Sequence, residues 1–374
     1  MCKLMISSLA ILLILSCYIP DNNPPETTTP PEIKWVYVGN QNISAAEADD
    51  VSLAIDKNGI LYVSYEDYAY GYKATVMKFD GTSWVPVGGS PGVSLGQVMS
   101  PTLALDTNGN PYLGYAEYSS CKGTIIQFNG TSWIPLGGAG FTSGIISRPS
   151  LAIDGNNAPY LVYWDWDNSR KASAVKWSGI SWFGVGNVGF TAGESDYLDI
   201  AIDKSGTPYV AYSDAANGYR ATVMKFSGGS WATVGVNELS AGTAKSKSLS
   251  IDDSGIPYIA FQDVANNNSI AVKKLSGGTT WVTVSSSGPS SGGGNYPSIA
   301  IDSNGVPYVA FQDHENSYAI TLAKFDGSSW KAIGSRGFSP SLVSYISLAI
   351  GLGNIPYVAF STYGGKASVM KPQQ

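Results

Sequence analysis

Acidic residues recur at one position of a repeated sequence pattern, and they are the first candidates for chemistry. They end a short apolar segment in six successive repeats, at Asp67, Glu117, Asp165, Asp214, Asp263 and Asp313. Carboxylate oxygens are the hard ligands that calcium prefers, so a ring of them around a central channel would form a cation site. The alternative is that each carboxylate accepts backbone N–H bonds in its own loop, a common role for aspartate at a strand end.

Aromatic residues cluster in and just after the same segments. The rings are Tyr68, Tyr70, Tyr72, Trp164, Trp166, Tyr219 and Tyr318. Flat rings cover the apolar faces of sugars, while Asp165, Asp167 and Arg170 beside the two tryptophans would bond the sugar hydroxyls. We therefore predict a ligand site for a glycan or a peptide in these loops. The alternative is that some of the rings pack between repeats.

Histidine occurs once, at His314, between two acidic residues. A single histidine excludes paired-histidine zinc sites, and any histidine-based triad would depend on this ring. We consider His314 a candidate ligand or general base, with a solvated loop histidine as the alternative. Hydrolysis by a carboxylate pair stays open, because the sequence does not give the separation of Asp165, Asp167 or Glu315 from other carboxylates.

Two landmarks indicate that the chain contains seven copies of one unit. Tryptophan recurs every 49 or 50 residues, at Trp35, Trp84, Trp133, Trp182, Trp231, Trp281 and Trp330. In phase with it, an aspartate follows a short apolar run, at Asp56, Asp106, Asp154, Asp203, Asp252 and Asp302, with Gly351 in the seventh place. We expect each aspartate to cap a turn. Such a period without helical periodicity argues against helical solenoids.

Within a unit, the residue pattern predicts four short strands. In the fourth unit they cover residues 200–203, 208–212, 221–226 and 230–234. Four antiparallel strands per unit form a propeller blade, so we predict an all-β, seven-bladed β-propeller over residues 33–374. The last unit lacks its fourth strand, and residues 33–39 supply a copy of that strand. We expect this N-terminal strand to complete the last blade and close the ring.

The blades resemble a secreted bacterial repeat family. Its pattern is A-I-D-x-x-G-x-P-Y-V-A-Y-x-D followed by A-T-V-M-K-F-x-G-x-S-W-x-x-V-G, as in residues 201–214 and 221–235. More distantly, the hairpin is similar to NHL-type propeller repeats. The resemblance implies the propeller fold and implies no shared activity, because propellers host unrelated functions.

The first 32 residues differ from the repeats. Lys3 precedes an apolar run over residues 4–15, which is too short to cross a bilayer and is typical of a signal-peptide core. Residues 14–17 resemble a bacterial lipobox, so we expect a signal peptide over residues 1–16 and lipid attachment at Cys17. Residues 17–32, rich in proline and threonine, are expected to form a tether. The alternative is an ordinary signal peptide. Either predicts an extracytoplasmic protein, lipid-anchored at the cell envelope or surface, or otherwise secreted.

Composition narrows the range of partners. A formal net charge of −6 and only four arginines leave no basic stripe for a phosphate backbone, which argues against nucleic acid. Calcium is the one cofactor that the sequence suggests. We expect a monomer that contacts the membrane through its lipid alone.

The regular repeat favours a non-enzymatic recognition module that binds a glycan or a protein through loops on one face. Enzymes commonly break their internal symmetry at one or two blades, and here the spacing hardly varies. Two alternatives stay open. One is an extracellular enzyme that processes a polysaccharide or an ester with carboxylates on the same face. The other is a purely structural envelope lipoprotein.

Overall fold

The computed structural model describes residues 33–235 and 239–373, which form seven four-stranded antiparallel sheets. The predicted signal peptide, Cys17 and the tether lie outside the described residues. Within the described part of the chain, no helix is long and apolar enough to cross a membrane. The arrangement confirms the predicted seven-bladed β-propeller.

Each sheet is one blade, and its strands are called first to fourth in the order of the repeat. The first strands are Ala48–Ile55, Val98–Leu105, Ile146–Ile153, Ser195–Ile202, Ala244–Ile251, Gly294–Ile301 and Val343–Ile350. The second strands are Leu61–Asp67, Pro111–Glu117, Pro159–Asp165, Pro208–Asp214, Pro257–Asp263, Pro307–Asp313 and Pro356–Thr362. The third strands are Lys73–Phe79, Gly123–Phe128, Lys171–Trp177, Arg220–Ser227, Ser269–Ser276, Ala319–Phe325 and Ala367–Pro372. The fourth strands are Trp84–Pro86, Trp133–Pro135, Trp182–Gly184, Ser230–Thr233, Thr280–Thr283, Trp330–Ala332 and, for blade seven, Trp35–Tyr37.

The N-terminal strand closes the ring, as predicted. Trp35–Tyr37 pairs antiparallel with Ala367–Pro372 as the fourth strand of blade seven. The Trp35 indole N–H donates to the Ile333 carbonyl of blade six at 2.8 Å, and the Trp35 ring stacks on Phe338 with centroids 3.7 Å apart. Blade seven therefore has the same four strands as the others and is fastened to its neighbour.

Two sets of hydrogen bonds join successive blades. In the outer set, a fourth-strand tryptophan donates to a carbonyl of the preceding blade, as Trp231 does to Val185 at 2.7 Å. In the inner set, a first-strand hydroxyl accepts a backbone N–H of the following blade, as Ser52 Oγ does from Leu103 at 3.3 Å. The N–H of Leu53 donates to Ser347 Oγ of blade seven at 3.0 Å, so the same kind of bond joins the last blade to the first. The repeated tryptophans are therefore inter-blade residues.

The turns between first and second strands lie on one face of the ring, which we call the turn face. In blade four the Asp203 carboxylate accepts the backbone N–H groups of Ser205 and Thr207 at 2.9 and 2.8 Å, and Gly206 takes a φ of 84°. The same pair of bonds recurs in the five other blades that have this aspartate. The predicted turn caps are confirmed.

The opposite face, the loop face, carries the loops between second and third strands. Most of these loops contain a short 3₁₀ helix: Tyr68–Tyr70, Trp166–Asn168, Ala215–Asn217, Val264–Asn266 and His314–Asn316. A sixth, Leu352–Asn354, lies in the blade-seven turn instead. Because Ala48 pairs with Asp67, each first strand begins beside the end of its second strand. The connection from the preceding blade therefore enters on the loop face.

The first strands pack against one another around the central channel, and they are longer than predicted. In blade four the strand begins at Ser195, five residues before the predicted start at residue 200. Its pairing with the second strand shifts between Asp196 and Asp199, and every other first strand has the equivalent β-bulge. The bulge interrupts the regular strand before the short apolar run from which the first strand was predicted.

Candidate functional site

The seven bulges direct seven side chains toward the mouth of the central channel. Each bulge holds a non-glycine residue with φ between 42° and 52°: Asp50, Ser100, Arg148, Tyr197, Ser246, Tyr296 and Tyr345. This left-handed conformation costs a non-glycine residue roughly 1–2 kcal/mol. Glycine would adopt it freely, yet none of the seven blades uses glycine there. Repeated strain of this kind points to a role for the side chains rather than for the backbone.

These bulge residues line a cavity of about 590 Å³ at the centre of the ring, near the loop face. Tyr296 and Tyr345 are 47% and 38% exposed, so their rings are accessible. The two tyrosines also line an adjoining cavity of about 420 Å³, together with Asp49 and Tyr68 of blade one. The central cavity is thus continuous with the rim of the loop face through two shared aromatic rings.

One side of the central cavity is cationic. The Arg148 guanidinium lies 4.7 Å from the centre of the Trp164 ring and 5.5 Å from that of Tyr197. It also pairs with the Asp196 carboxylate at 3.1 Å while its own side chain stays half-exposed. The two rings and Asp196 hold the guanidinium at the cavity, and half of the side chain stays exposed to a ligand.

The blade-one side of the cavity is acidic. Burial and the nearby Asp49 raise the pKa of Asp50 to about 6, although the Ser100 N–H at 3.1 Å and Arg148 act in the opposite direction. Burial, followed by the charges of Asp50 and Asp49, raises the pKa of Glu66 to about 7. The cavity therefore brings Arg148, the carboxyl of Asp50 and three tyrosine rings into one space, a combination typical of functional sites.

The six carboxylates predicted to ring the channel lie in second strands, one strand away from the channel wall. Asp67 accepts the Ala69 N–H and the Thr75 hydroxyl at 3.1 and 2.8 Å. Glu117, Asp165, Asp214 and Asp313 are likewise bonded within their own blades or adjoining connections. Among the described residues, Asp263 Oδ1 is buried without a hydrogen-bond partner: its loop makes no cap bond to it, and Ala271 stands where Thr75 supplies a hydroxyl in blade one.

The carboxylates therefore do not converge. Across residues 33–235 and 239–373, no group of three or more His, Cys, Asp or Glu side chains is placed to hold a metal ion. The bonds of five of the six correspond to the alternative interpretation, in which each carboxylate organises its own loop.

The predicted aromatic residues divide into two groups. Trp164 is 8% exposed and supports Arg148 in the cavity, whereas Trp166 is 49% exposed on the rim. The Trp166 indole N–H donates to Ser147 Oγ at 3.0 Å, and Arg170 lies 5.5 Å from its ring while pairing with Glu194 at 2.7 Å. Asp167 is exposed beside them.

The loop tyrosines belong to different blades. Tyr70 and Tyr72 of blade one, Tyr219 of blade four and Tyr318 of blade six are each between 41% and 44% exposed. Tyr68 packs against Tyr72 with centroids 4.5 Å apart, and its hydroxyl donates to Asp49 at 2.8 Å. Of this set, Tyr68 is the one that lines the adjoining cavity.

His314 begins the 3₁₀ helix of blade six, and its ring lies 5.0 Å from that of Tyr318. Its Nε2 is buried and has no hydrogen-bond partner among the described residues. The flanking Asp313 and Glu315 both bind Arg336, at 2.8 and 3.2 Å. The structure does not assemble a triad at this histidine.

The sequence reasoning missed the residues that line the cavity, including Arg148, Tyr197, Tyr296 and Tyr345. A signal was nevertheless present. Proline directly follows the bulge residue in three blades, at Pro101, Pro149 and Pro297. Proline within a strand marks an edge or a bulge, so these prolines indicated where the side chains leave the regular alternation.

No protein-family model matches the chain, and no curated protein matches it. Solved structures do. An ulvan lyase described as bound to GlcA(1-4)Rha3S is 13% identical, with a TM-score of 0.54 over 90% of this chain and 95% of the lyase. The lectin SapL1, in complex with alpha methyl fucoside, is 16% identical, with a TM-score of 0.53 over 79% of this chain and 97% of the lectin. A Dyadobacter fermentans protein of unknown function is 14% identical, with a TM-score of 0.51 over 91% and 99%. At these identities the likeness shows the propeller fold.

Proposed function

We propose that this protein is an extracytoplasmic recognition module that binds a carbohydrate in the central cavity of its loop face. The ring of seven strained, non-glycine bulge residues carries the proposal, because it places three tyrosines and Arg148 around one accessible cavity. Tyrosine rings offer flat apolar surfaces with a polar edge. Arg148, Asp50 and the two serines add donors and acceptors for hydroxyl groups.

The structural neighbours support this choice of ligand class. Both a lectin and a polysaccharide lyase are built on this architecture, so the fold accommodates sugars in other proteins. In this chain the exposed Trp166 and the partly buried Tyr68 on the rim would extend the contact surface outward from the cavity. A protein ligand is the competing possibility for the same face.

The test is a glycan array probed with residues 33–374, which contain all seven sheets and the closing strand. We expect the wild-type protein to bind, and its affinity to fall at least tenfold in a Tyr296→Ala/Tyr345→Ala variant, which removes two of the aromatic rings that line the cavity. A Tyr70→Ala/Tyr219→Ala variant removes two similarly exposed rings that line neither cavity, so it is the matched control and should retain most of the binding. The array is repeated with a chelator, because chelator sensitivity would support a calcium ion. Absence of binding to every glycan would overturn the carbohydrate proposal and favour a protein ligand or a structural role.

An extracellular polysaccharide-processing enzyme is the second candidate, and one observation favours it. Asp50 lines the central cavity, Glu66 pairs with Asp49 of the adjoining cavity, and both have raised pKa values; a carboxyl that titrates near neutral pH is suited to general acid–base catalysis. The glycans that bind are therefore incubated with the protein and assayed for new reducing ends. If new reducing ends form, and Glu66→Gln abolishes their formation while binding persists, the protein is an enzyme. If the protein binds glycans without cleaving them, recognition is its function.

We further propose that Cys17 carries a lipid that holds the protein at the cell envelope. The lipobox-like residues 14–17 support this proposal. Metabolic labelling with an alkyne fatty acid should label the full chain and fail to label Cys17→Ala, which should appear in the medium. Equal labelling of both chains would contradict the proposal.

A further inference from the structure

Lys247 departs from the pattern of the cavity wall. The residue after each bulge is apolar in six blades, at Val51, Pro101, Pro149, Leu198, Pro297 and Ile346. Blade five has Lys247 at this position. Its side chain lines the central cavity and is only 8% exposed, so an amine occupies a place that the fold otherwise reserves for hydrocarbon.

The Lys247 amine has polar partners but no counter-ion. Its Nζ donates to Ser213 Oγ and, at 3.1 Å, to the carbonyl of Ala244. Within residues 33–235 and 239–373, Lys247 forms no ion pair. The nearest attracting carboxylate, Asp196, is already paired with Arg148. On the remaining side, Nζ lies 5.2 Å from the centre of the Tyr197 ring.

These surroundings favour the neutral amine. Burial lowers the pKa of Lys247 to about 7, and the more distant Asp196 only partly opposes this effect. A neutral amine has two N–H groups, and here one can donate to Ser213 Oγ and the other to the Ala244 carbonyl. Its nitrogen lone pair is then left over. A desolvated lysine of this kind is a nucleophile toward carbonyl carbon.

We propose that Lys247 is a reactive amine that forms an imine with the aldehyde or ketone group of a compound held in the central cavity. The nitrogen lone pair attacks the carbonyl carbon, and the carbonyl oxygen takes up the proton that nitrogen releases. The resulting carbinolamine then loses water to give the C=N bond, so one amine and one carbonyl yield one imine and one water. Open-chain sugars and other small carbonyl compounds belong to this ligand class. The proposal uses the same cavity as the carbohydrate site but does not depend on glycan binding.

The experiment treats residues 33–374 with glyceraldehyde and cyanoborohydride at pH 7, and follows each lysine by peptide mass mapping. An amine with a pKa near 7 is about half neutral at this pH, whereas an ordinary lysine with a pKa near 10.4 is neutral in fewer than about one molecule in a thousand. We therefore expect Lys247 to be modified at least about tenfold faster than Lys245, which is exposed on the same strand. The rate at Lys247 should rise with pH to a midpoint near 7.

Two variants provide the controls. Lys247→Met should fold, because six other blades carry apolar residues at this position, and it should lose the fast site; Lys245→Met should retain it. Modification of Lys247 no faster than Lys245 in the folded wild-type protein would overturn the proposal. Glycan binding with an unreactive Lys247 would contradict the imine alone. A reactive Lys247 without any glycan binding would contradict the carbohydrate site alone.

Discussion

The two faces of the propeller are built from the same seven blades but differ in what they keep constant. On the turn face, six blades repeat both the backbone and the side chain: one aspartate caps the turn with the same two bonds, as Asp106 does for Asn108 and Asn110. At the bulges near the loop face, the backbone repeats equally well, but the side chain changes from blade to blade. The turn aspartates serve the fold, because side chain and backbone are conserved together along the chain. The bulge residues are free to serve a ligand.

The largest expected effect comes from breaking the frame that both faces share. Deletion of residues 33–39 removes the fourth strand of blade seven, including the stacked Trp35, and exposes the edge of Ala367–Pro372. We expect a loss of about 4 kcal/mol or more in the free energy of unfolding. Guanidinium and thermal melts compare the shortened protein, residues 40–374, with residues 33–374. A shortened chain that melts no earlier would contradict closure by this strand.

The next largest effect concerns Lys247, the one charged residue among the seven that follow the bulges. Its pKa is about 7 when folded and about 10.4 when unfolded, so between these values the unfolded chain binds more protons and stability rises with pH. Lys247→Met should therefore stabilise the protein at pH 6 by up to about 4 kcal/mol, with the advantage shrinking toward pH 10. Guanidinium melts across this range measure it, and Lys245→Met should show no such trend.

The comparison of the faces is sharpened by a pair of substitutions. Asp203→Ala leaves the N–H groups of Ser205 and Thr207 without their acceptor, and should cost about 1–2 kcal/mol without affecting ligand binding. Tyr345→Ala should weaken ligand binding and leave stability almost unchanged, because the ring is 38% exposed in the cavity. Urea melts and array binding are measured on both. A Tyr345→Ala protein as unstable as Asp203→Ala would remove the distinction between the faces.

A smaller effect is expected at Glu66. Gln262 and Gln312 occupy the equivalent position and donate to the carbonyls of Gly294 and Val343 at 2.9 and 2.6 Å. The folded pKa of Glu66 is about 7, above its unfolded value, so stability falls as pH rises from about 4.3 to 7. Glu66→Gln should therefore stabilise the protein at pH 8 by roughly 1 kcal/mol, discounted because the side chain is only half-buried. At pH 4 the two proteins should melt alike; a benefit that does not depend on pH would point to packing instead.

The smallest expected effect tests the strain itself. Ser246→Gly should relieve the positive φ of 42°, with a net gain below about 1 kcal/mol because glycine also loosens the unfolded chain. Gly255→Ala on the turn face, where φ is 80°, should destabilise by about 1 kcal/mol. The melting temperatures of both variants show whether each substitution stabilises or destabilises the protein. Destabilisation by Ser246→Gly would mean that the bulge is not strained.

The sequence predicted the fold well because the signals for the fold are local. Each Asp203-like cap, each glycine turn and each Pro-Tyr strand start acts within a few residues, and seven repetitions let weak signals reinforce one another. The ring closure was also predictable, since Trp35 stands alone before the first complete unit.

The site was harder to predict because it exists only around the axis. Arg148, Tyr197 and Lys247 belong to three different blades, and although the repeat period of about 50 residues separates them, their types differ, so no motif joins them. Their strands also begin before the regular Leu-Ala-Ile run by which the first strand was recognised. Conversely, the carboxylates at second-strand ends have a regular spacing, but in four blades that regularity reflects the same bond from a third-strand hydroxyl.

The closing strand also determines where a label or a tag can be attached without reaching the cavity. Trp35–Tyr37 runs from the turn face toward the loop face, and Ala367–Pro372 runs the opposite way beside it. The described ends therefore meet on the turn face at the outer edge of blade seven, where the N–H of Gln373 donates to the carbonyl of Lys34 at 2.7 Å. A dye, a purification tag or a biosensor surface coupled at either end would sit on the face without the cavity. The two ends are also close enough to be joined by a short linker, so the propeller is suited to circular permutation.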